Sequence, residues 1–296
     1  MNDNIIIPFQ LESSNLRGRF VRLGGTLTDI LIPHHYPEIL MGLTGEVTTL
    51  AIILASILKY DGIFTLQIQG DGPLSLLMAD VTTAGDVRAC ATYNPERFEA
   101  ATDTSLQGLV GNGYMAFTVD QGEDTERYQG LVELKGETLA ECAQHYFMQS
   151  EQIQTGLILK VGRHNNEWRG AAIMLQKMPQ VTAEYNKNDH RPSEVVEDDW
   201  RRAMILLQSC KDEELLSPVL HPHEILLRLF HEEGVRIYDQ GQVRKGCRCN
   251  PEKLKGVLSL MPEEDRHFMA VEGTIIMNCQ FCNRDFSFSP DEISSS

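Results

Sequence analysis

The sequence predicts a fold of mixed helices and strands, arranged as a large N-terminal domain, a helical linker and a small C-terminal module. Three observations support this organisation. The N-terminal part combines alternating strand patterns with apolar helix patterns. A polar segment rich in helix breakers follows at 184–192 and leads into an amphipathic helix. Two closely spaced cysteine pairs lie near the C-terminal end. We therefore expect domains at residues 1–182, 183–234 and 235–296.

The N-terminal domain is predicted to contain several strands and two core helices. Apolar residues recur at three- and four-residue spacing through residues 45–58, as in a helix that buries one face. A second helix is expected at 138–150, and Thr26 is expected to open a short helix that runs through Ile30. The buried face of the second helix comprises Leu139, Cys142, Ala143, Tyr146 and Phe147. Alternation predicts strands at 18–23, 64–69, 115–119 and 128–134, with 171–178 as a candidate to close the sheet.

The linker is predicted to be a metastable helix that begins at Ser193, a residue type favoured at N-caps. Its apolar positions form one narrow stripe of Val196, Trp200, Ala203 and Leu207. Two ion pairs at i,i+4 spacing, each worth about 0.2–0.5 kcal/mol, are expected between Glu197 and Arg201 and between Asp198 and Arg202. A helix with so few apolar residues is expected to be stable only while it is docked on a neighbour.

Five further elements are expected beyond the linker helix. A helix at 221–233 ends at Gly234 and is followed by a strand at 235–238. Asn250 and Pro251 are typical of the N-cap and first position of another helix. Strands at 274–278 and 285–288 form a hairpin, which places the last cysteine pair on its turn.

The four C-terminal cysteines form two clips, with the sequences Cys247-Arg248-Cys249 and Cys279-Gln280-Phe281-Cys282 and 29 residues between them. Two such clips can complete a tetrahedral zinc site with Zn–S distances of about 2.3 Å. The same four thiols can also form two local disulfides. A site that can exist in either state is a candidate switch, and we interpret it as the functional core of the chain.

Metal binding is expected to be linked to folding of the C-terminal module. Residues 240–290 include few large apolar side chains, and modules of this size usually need a staple to fold. Structural zinc can supply about 10–16 kcal/mol of apparent binding free energy, which becomes folding free energy. Oxidation of the thiolates would weaken the site and unfold the module, and the linker helix would lose its neighbour.

The other cysteines, Cys90, Cys142 and Cys210, lie in apolar contexts and are interpreted as core residues.

Composition narrows the function further. The chain has 296 residues, is 42% apolar, and carries a formal net charge of −16 with a pI near 5.0. This charge argues against nucleic acid and anionic membrane surfaces as partners, and it suits a protein that stays soluble while exposing apolar surface. The N-terminal residues lack the pattern of a secretory signal, and the longest apolar run, 50–58, is too short to span a bilayer. We therefore expect a cytosolic protein.

Two other functions remain open from the motifs. A zinc ribbon that binds nucleic acid is disfavoured because residues 241–296 carry seven basic and eight acidic side chains and no basic stripe. A thiol–disulfide oxidoreductase would use Cys279 and Cys282. In this sequence, however, these two cysteines lack the strand-then-helix placement that is typical of the redox CxxC motif. No hydrolase, P-loop or metalloprotease motif occurs. The paired histidines at 34–35, the segment 221–224 and the glycine pairs at 70–72 and 111–113 are interpreted as turns or caps.

The cysteine spacing resembles that of the heat shock protein 33 family, the redox-regulated 33 kDa chaperonins. The resemblance covers nearly the whole chain, and no ligand position departs from the family pattern. The matching stretches are QIQGDGP at 67–73, LVGNGY at 109–114, ERYQGLV at 126–132, YFMQSEQ at 146–152 and RLFHEE at 228–233. Cys142 matches a family cysteine outside the switch, whereas no family role is recognised for Cys90 or Cys210.

The resemblance implies an α+β N-terminal domain and a cytosolic holdase chaperone that works without ATP and is not an enzyme. Its reduced form is inactive and holds one zinc ion, here on Cys247, Cys249, Cys279 and Cys282. Oxidative stress is implied to join Cys247 to Cys249 and Cys279 to Cys282, with loss of zinc and unfolding of the module and the linker. The oxidised form binds unfolding client proteins and tends to form a homodimer.

Client binding would use apolar surface that the linker uncovers when it undocks. The candidate residues are Val196, Trp200, Ala203 and Leu207, together with the sheet face beneath them.

Overall fold

A computed structural model describes residues 3–122, 128–177 and 192–293, and the chain divides into two compact units, Met1–Lys245 and Gly246–Ser296. The strands of the first unit are β1 Ile5–Leu11, β2 Leu16–Leu23, β3 Ile63–Gly70, β4 Leu74–Thr82, β5 Asp86–Tyr93, β6 Gly113–Asp120, β7 Tyr128–Glu133, β8 Thr155–His164, β9 Glu167–Lys177, β10 Val235–Ile237, β11 Gly241–Gln242 and β12 Arg244–Lys245. Its helices are α1 Gly25–Leu31, α2 Glu38–Ala55, α3 Pro95–Glu99, α4 Leu106–Val110, α5 Leu139–Tyr146, α6 Ser193–Gln208, α7 Asp212–Leu215 and α8 Pro222–Phe230. The second unit contains α9 Pro251–Ser259, α10 Glu263–Met269, β13 Ile275–Asn278 and β14 Asp285–Phe288. The predicted α+β class is confirmed.

The first unit is built on two six-stranded sheets. Sheet A has the order β10-β1-β2-β9-β8, and β11 also pairs with β1. Sheet B has the order β12-β5-β4-β3-β6-β7. Neighbouring strands are antiparallel except β12 and β5, which are parallel. Because β10 and β1 pair across more than 200 positions of sequence, the two ends of this unit are joined in one sheet.

Two hydrophobic clusters lie on opposite faces of sheet A. The larger cluster surrounds α2, which packs against strands of both sheets and buries Val47, Leu50 and Ile53 completely. The smaller cluster lies between the other face of sheet A and helices α6, α7 and α8. Strand β9 is central in sheet A and is covered on both faces, which explains its nearly continuous burial from Trp168 to Gln176.

Among the described residues, one helix is long and apolar enough to cross a membrane, namely α2. The share of that window buried within the protein is 72%, because both sheets cover it. This is the environment of a core helix, so the length and composition of α2 are explained by its packing.

Most of the elements predicted in the N-terminal half are confirmed. The strands expected at 18–23, 64–69, 115–119 and 128–134 lie within β2, β3, β6 and β7, and the last two form the expected antiparallel pair. The helix expected at 45–58 begins earlier, at Glu38 after Pro37, and ends at Ala55. The helix expected at 138–150 is capped by the Thr138 side chain and changes to a π-helical turn at Phe147–Glu151. The strand expected at 171–178 is β9, whose neighbours are β2 and β8, so it lies inside its sheet; residue 178 is outside the described range.

Details of the linker differ from the prediction. Helix α6 begins at Ser193, so the N-cap position belongs to Pro192 and the assignment of Ser193 as the N-cap is wrong by one residue. The expected i,i+4 ion pairs are replaced by i,i+3 pairs within the helix and by pairs with charged residues from distant parts of the chain. The observed pairs are Lys177 with Glu197, Arg201 with Asp198, Arg202 with Asp199, and Arg202 with Glu233. Residues 183–191 of the predicted linker and 126–127 of the quoted motif lie outside the described residues.

The boundary of the C-terminal unit lies after Lys245, whereas the sequence suggested a module from residue 235. The difference arises because β10, β11 and β12 pair with β1 and β5 of the first unit. The described part of the expected linker, from 192 to 234, packs as α6, α7 and α8 within that same unit.

The second unit has a very small apolar core. In its described part, residues 246–293, the buried hydrophobic side chains are Leu258, Ile275 and Ile293, with Met261 and Phe288 half-buried around them. Large apolar side chains elsewhere in the unit are exposed, with Phe268 at 92% and Leu260 at 79% of their surface. A core of this size is too small to fold a domain on its own account.

Candidate metal centre

The β13–β14 hairpin positions one cysteine pair. The two strands pair from Ile275 with Phe288 to Asn278 with Asp285, as the sequence predicts. At the turn, the Cys279 N–H donates to the carbonyl of Arg284 at 2.9 Å, and the N–H of Asn283 donates to the Cys279 carbonyl at 2.8 Å. Asn283 has a φ of 54°, a left-handed conformation that asparagine tolerates. These bonds close the turn around both thiols.

The other pair lies in an irregular segment just before α9. Residues 246–250 form no regular element, so an irregular segment positions the thiols of Cys247 and Cys249. The Asn250 side chain accepts a hydrogen bond from the Glu252 N–H at 2.8 Å and caps α9, with Pro251 at the first helical position, as predicted. The cap fixes the chain direction directly after Cys249.

The four sulfur atoms converge on one point. The Sγ atoms of Cys247, Cys249, Cys279 and Cys282 all lie within 4.8 Å of one another. Cys247 Sγ is 3.7 Å from Cys279 Sγ, and Cys249 Sγ is 3.6 Å from Cys282 Sγ. A tetrahedron with metal–sulfur bonds of about 2.3 Å has edges of about 3.8 Å, so this arrangement fits a four-thiolate zinc site. The same distances exceed a disulfide bond of about 2.05 Å, and all four thiols are free.

The protonation of the cluster is uneven. Burial acts to raise the pKa of Cys247, but hydrogen bonds from the backbone and thiol of Cys249 and from the two hairpin thiols outweigh it and lower this pKa to about 7. Burial and the neighbouring thiols raise the pKa of Cys249 to about 12, and burial raises that of Cys282. One thiolate is therefore stabilised by its neighbours, while further ionisation needs a cation to balance the charge.

The remaining cysteines belong to the first unit. Cys90 and Cys142 are 1% exposed, which confirms them as core residues, whereas Cys210 is half-buried at the edge of the α6–α8 cluster. Burial, followed by nearby carboxylates, raises the pKa of Cys142 and of Cys210 to about 11. Their thiols are therefore poor nucleophiles at neutral pH.

The capping and turn interpretations are confirmed. The His221 side chain accepts a hydrogen bond from the His223 N–H while the Glu224 carboxylate accepts one from the His221 N–H, which is a capping box at the start of α8. Gly111 has a φ of 71° in its turn, and the Asp71 carboxylate accepts a hydrogen bond from the Asn112 N–H at 2.8 Å. These residues stabilise local structure.

Two charged networks that hold the linker helices were not predicted from sequence. Asp3 forms ion pairs with the buried Arg22 and Arg169, and both arginines donate to backbone carbonyls in the loop at 216–220. A second network joins Arg202 of α6 to Glu233. The partners in each network are far apart in sequence. The one feature of the sequence that could have indicated the first network is the presence of charged residues within otherwise apolar strands.

The candidate client-binding residues lie on the inner face of α6. Ala203 is fully buried and Leu207 is 1% exposed, while Val196 and Trp200 are half-buried. In this conformation the inner part of the stripe packs in the cluster on sheet A and is closed to a partner. The stripe predicted from the sequence is therefore the docking face of the helix.

Comparisons with known proteins agree with this architecture. A family model described as Hsp33 protein matches residues 4–289. The 33 kDa chaperonin of Caulobacter vibrioides (strain NA1000 / CB15N) is 34% identical over 297 residues, which cover 97% of this chain and 95% of that protein. The 33 kDa chaperonin of Escherichia coli (strain K12 / DH10B) is 35% identical over 286 residues, which cover 96% and 92% of the two chains.

A solved structure shares the fold. The crystal structure of the 33 kDa chaperonin, a heat shock protein 33 homologue, from Thermotoga maritima superposes with a TM-score of 0.79 at 21% identity. The match covers 98% of this chain and 96% of that one. The coverage of the family model and the identity to the two curated relatives lead to the same assignment. The chain belongs to the Hsp33 family of 33 kDa chaperonins.

Proposed function

We propose that this chain is a redox-regulated, ATP-independent holdase of the cytosol that binds unfolding proteins under oxidative stress. It acts as a binding protein, without a catalytic residue. The observation that carries the proposal is the convergence of four free thiols within 4.8 Å in a unit whose own apolar core is minimal. Membership in a chaperone family supplies the functional class, and the thiol cluster supplies the sensor.

In the reduced form, Cys247, Cys249, Cys279 and Cys282 hold one zinc ion per chain as thiolates. Bound zinc would supply folding free energy to Gly246–Ser296, about 10–16 kcal/mol in comparable four-ligand sites. The chain contributes the hairpin turn and the α9 cap, which orient the two clips when the unit folds around the ion. The reduced form is inactive because α6 stays docked.

Oxidation joins Cys247 to Cys249 and Cys279 to Cys282. Each disulfide forms from two thiolates that give two electrons to hydrogen peroxide or hypochlorous acid. The oxidant takes up protons from solvent and leaves as water or as chloride and water, and the zinc ion is released as its ligands are lost. The close sulfur contacts at 3.6–3.7 Å run between the clips, whereas the proposed disulfides run within them. All pairs lie within 4.8 Å, so small rotations decide which bond forms. Residues joined across only one or two positions also reach each other after the unit unfolds, which favours pairing within each clip.

Loss of the thiolates removes the metal-dependent folding free energy, so the second unit and then α6 become disordered. Undocking of α6 exposes its own stripe, Val196, Trp200, Ala203 and Leu207. It also uncovers part of the apolar face of sheet A, where Phe9, Phe20 and Ile173 are buried now. Such a surface binds unfolded client proteins and favours a homodimer of the oxidised chain.

The proposal is tested by following metal, thiols and client together. The reduced protein is expected to carry one zinc per chain and to release it when treated with hypochlorous acid or with peroxide at elevated temperature. Release should coincide with the loss of four thiols and with suppressed aggregation of a heat-denatured client. Peptide mapping distinguishes the pairings, because tryptic cleavage after Arg248 separates Cys247 from Cys249 unless a disulfide joins them.

Matched cysteine variants separate the switch from general thiol oxidation. Cys282→Ser removes one ligand and is expected to weaken zinc binding and raise client binding before any oxidant is added. Cys210→Ser removes a thiol outside the cluster and is expected to behave as the unmodified chain. Zinc release without client protection would refute the holdase assignment. Salt-dependent binding to RNA or turnover in insulin reduction would instead support the nucleic-acid or oxidoreductase alternatives.

A further inference from the structure

A cavity of about 490 Å³ opens between the two sheets of the first unit. Its walls come from sheet A, sheet B, the C-terminal end of α2 and the π-helical turn after α5. Most of its lining is apolar, including Phe64, Phe117, Phe147, Leu54 and Met174. Its volume lies within the range of about 300–1,000 Å³ that is usual for small-molecule sites. The holdase proposal makes no use of this cavity.

Two arginines of β2 give the cavity a positive wall. Arg17 and Arg19 alternate along the strand and therefore share the face that lines the cavity. Arg19 donates hydrogen bonds to the carbonyl oxygens of Gly18 at 2.9 Å and Ser56 at 3.3 Å, which are neutral acceptors. Burial lowers the pKa of Arg19, and the positive charge of Arg17 lowers it further. Arg19 is half-buried and Arg17 is exposed, and their two positive charges repel each other on this wall of the cavity.

Three other arginines on strands of this unit are paired with acids. Arg22 and Arg169 share the carboxylate of Asp3, and Arg88 pairs with Asp80. Within residues 3–122, 128–177 and 192–293, Arg17 and Arg19 have no such carboxylate partner. This contrast stands out in a chain with 42 acidic residues and a net charge of −16.

One carboxylate does line the cavity, that of Glu151. Its Oε1 accepts a hydrogen bond from the Tyr146 hydroxyl at 2.6 Å, so it is engaged on the α5 side. The cavity therefore presents an apolar body, a positive wall on β2 and a polar edge at α5. A cation would be repelled by the two arginines, and a purely apolar molecule would leave the half-buried Arg19 without a counter-charge.

We propose that this cavity binds a single-chain amphiphilic carboxylate, with the alkyl chain between the sheets and the carboxylate on Arg17 and Arg19. Guanidinium groups bind carboxylates through paired, charge-assisted hydrogen bonds, and these are stronger where water is excluded. The alkyl chain replaces water against the phenylalanine and methionine side chains. The charge and the shape of the cavity select the same class of ligand.

The test uses decanoate, below its micellar concentration, with the full-length, reduced and zinc-loaded protein in a calorimetric titration. Decanoate is expected to bind with one site per chain, and decyltrimethylammonium, which has the same chain and the opposite charge, is expected to bind at least tenfold more weakly. Arg17→Gln and Arg19→Gln should each weaken decanoate binding at least tenfold, as expected for loss of a charged hydrogen bond. Arg163→Gln, which makes the same charge change at an exposed position of β8, should leave binding unchanged.

A second variant tests the place of binding. Leu58 lines the cavity and is 41% exposed, so Leu58→Trp fills the opening from a position that tolerates a large side chain. This variant should abolish decanoate binding while circular dichroism stays unchanged. Crystals grown with 10-bromodecanoate should show the bromine between the sheets, and this measurement does not depend on any variant folding. No decanoate binding, equal binding by all four variants, or a bromine position elsewhere would overturn the proposal.

Discussion

Truncation of Leu207 to alanine tests how weakly α6 is held on sheet A. Leu207 is 1% exposed, and the other fully buried apolar residue of the described helix is the small Ala203. The helix already lies against β8, since a Cβ added at Gly156 would be 2.2 Å from Met204 Cε and 3.3 Å from Leu207 Cδ2. The backbone therefore has little freedom to close the space that Leu207→Ala leaves.

Leu→Ala at such sites costs about 2–5 kcal/mol. A loss near the middle of this range, about 3 kcal/mol, would raise the population of undocked α6 about a hundredfold, because each 1.4 kcal/mol is a factor of about ten. The remaining attachment would consist mainly of half-buried side chains and the ion pairs of Arg202 and Glu197. We expect α6 to open as a local unit, well below the free energy of global unfolding.

Native-state hydrogen exchange measures this opening directly. In the reduced, zinc-loaded Leu207→Ala protein, amides of α6 should exchange about a hundredfold faster, while those of β2 and β9 keep their protection. Ile205→Ala is the matched control, because Ile205 lies on the same helix and is 64% exposed. Its effect should stay within about 0.5 kcal/mol. Unchanged exchange in α6, or equal acceleration in α6 and β9, would show that α6 is not an independently opening element.

Three further predictions concern metal and pH. Chelation of zinc from the reduced protein should abolish exchange protection in Gly246–Ser296 and leave β2 and β9 protected, because the core of that unit is minimal. Hydrogen bonds from Arg202, and also one from the Ser13 hydroxyl, hold the pKa of Glu233 below its usual 4.5. This carboxylate therefore stabilises the fold above pH 4.5 and loses that effect as the pH falls further. In urea unfolding measured as a function of pH, Glu233→Gln should flatten this part of the stability profile. Burial raises the pKa of Glu46 from 4.5 to about 7, with Lys160 opposing the shift, so stability should fall as pH rises through this interval. Glu46→Gln should therefore be more stable than the unmodified chain above pH 7, by up to about 3 kcal/mol, and should gain nothing below pH 4.5.

The parts of the structure that sequence reasoning predicted best depend on short-range signals. The capping box of α8 is set by His221 and Glu224, three positions apart, and the cap of α9 by Asn250. The hairpin of the last cysteine pair follows from alternation on either side of a CxxC turn. In each case the residues that determine the structure are within a few positions of one another, so a single chain is enough to recognise them.

Strands that alternate poorly were missed. Strand β1, Ile5–Leu11, has Ile6 and Pro8 on its half-buried face, so apolar residues occupy both faces and no clear alternation remains. Strands β4, β5 and β8 were also not predicted. Strand β9 is buried on both faces, so it lacks the alternating polar residues that would have indicated its full length, and the sequence predicts only its second half. Burial of both faces is a property of the tertiary structure, which the local pattern does not report.

Long-range partners were missed for the same reason. Arg202 was assigned to Asp198, one turn earlier in the helix, yet its strongest contact is with Glu233 after α8. Arg19 lies on the predicted strand 18–23 and Arg17 just before it, and no local pattern indicates the cavity that they line, because it forms only when the second sheet covers them. The four cysteines were the exception, because metal-ligand spacing is a sequence signal for a contact across 29 residues.

The two elements proposed to switch share one physical property. The second unit buries three apolar side chains, and α6 fully buries one large one, so neither has enough apolar contact to stay ordered alone. Each depends on a contribution from outside: thiolate–metal bonds for the second unit, and the face of sheet A for α6. The rest of the first unit differs, because its strands and α2 fill a large continuous core. Oxidation of the four sulfur atoms would therefore remove the support of the second unit and leave the two sheets intact, whereas α6 keeps its support on sheet A and can open only because few apolar contacts hold it there. The proposed function requires the sheets to stay intact, because the surface that binds a client must itself stay folded.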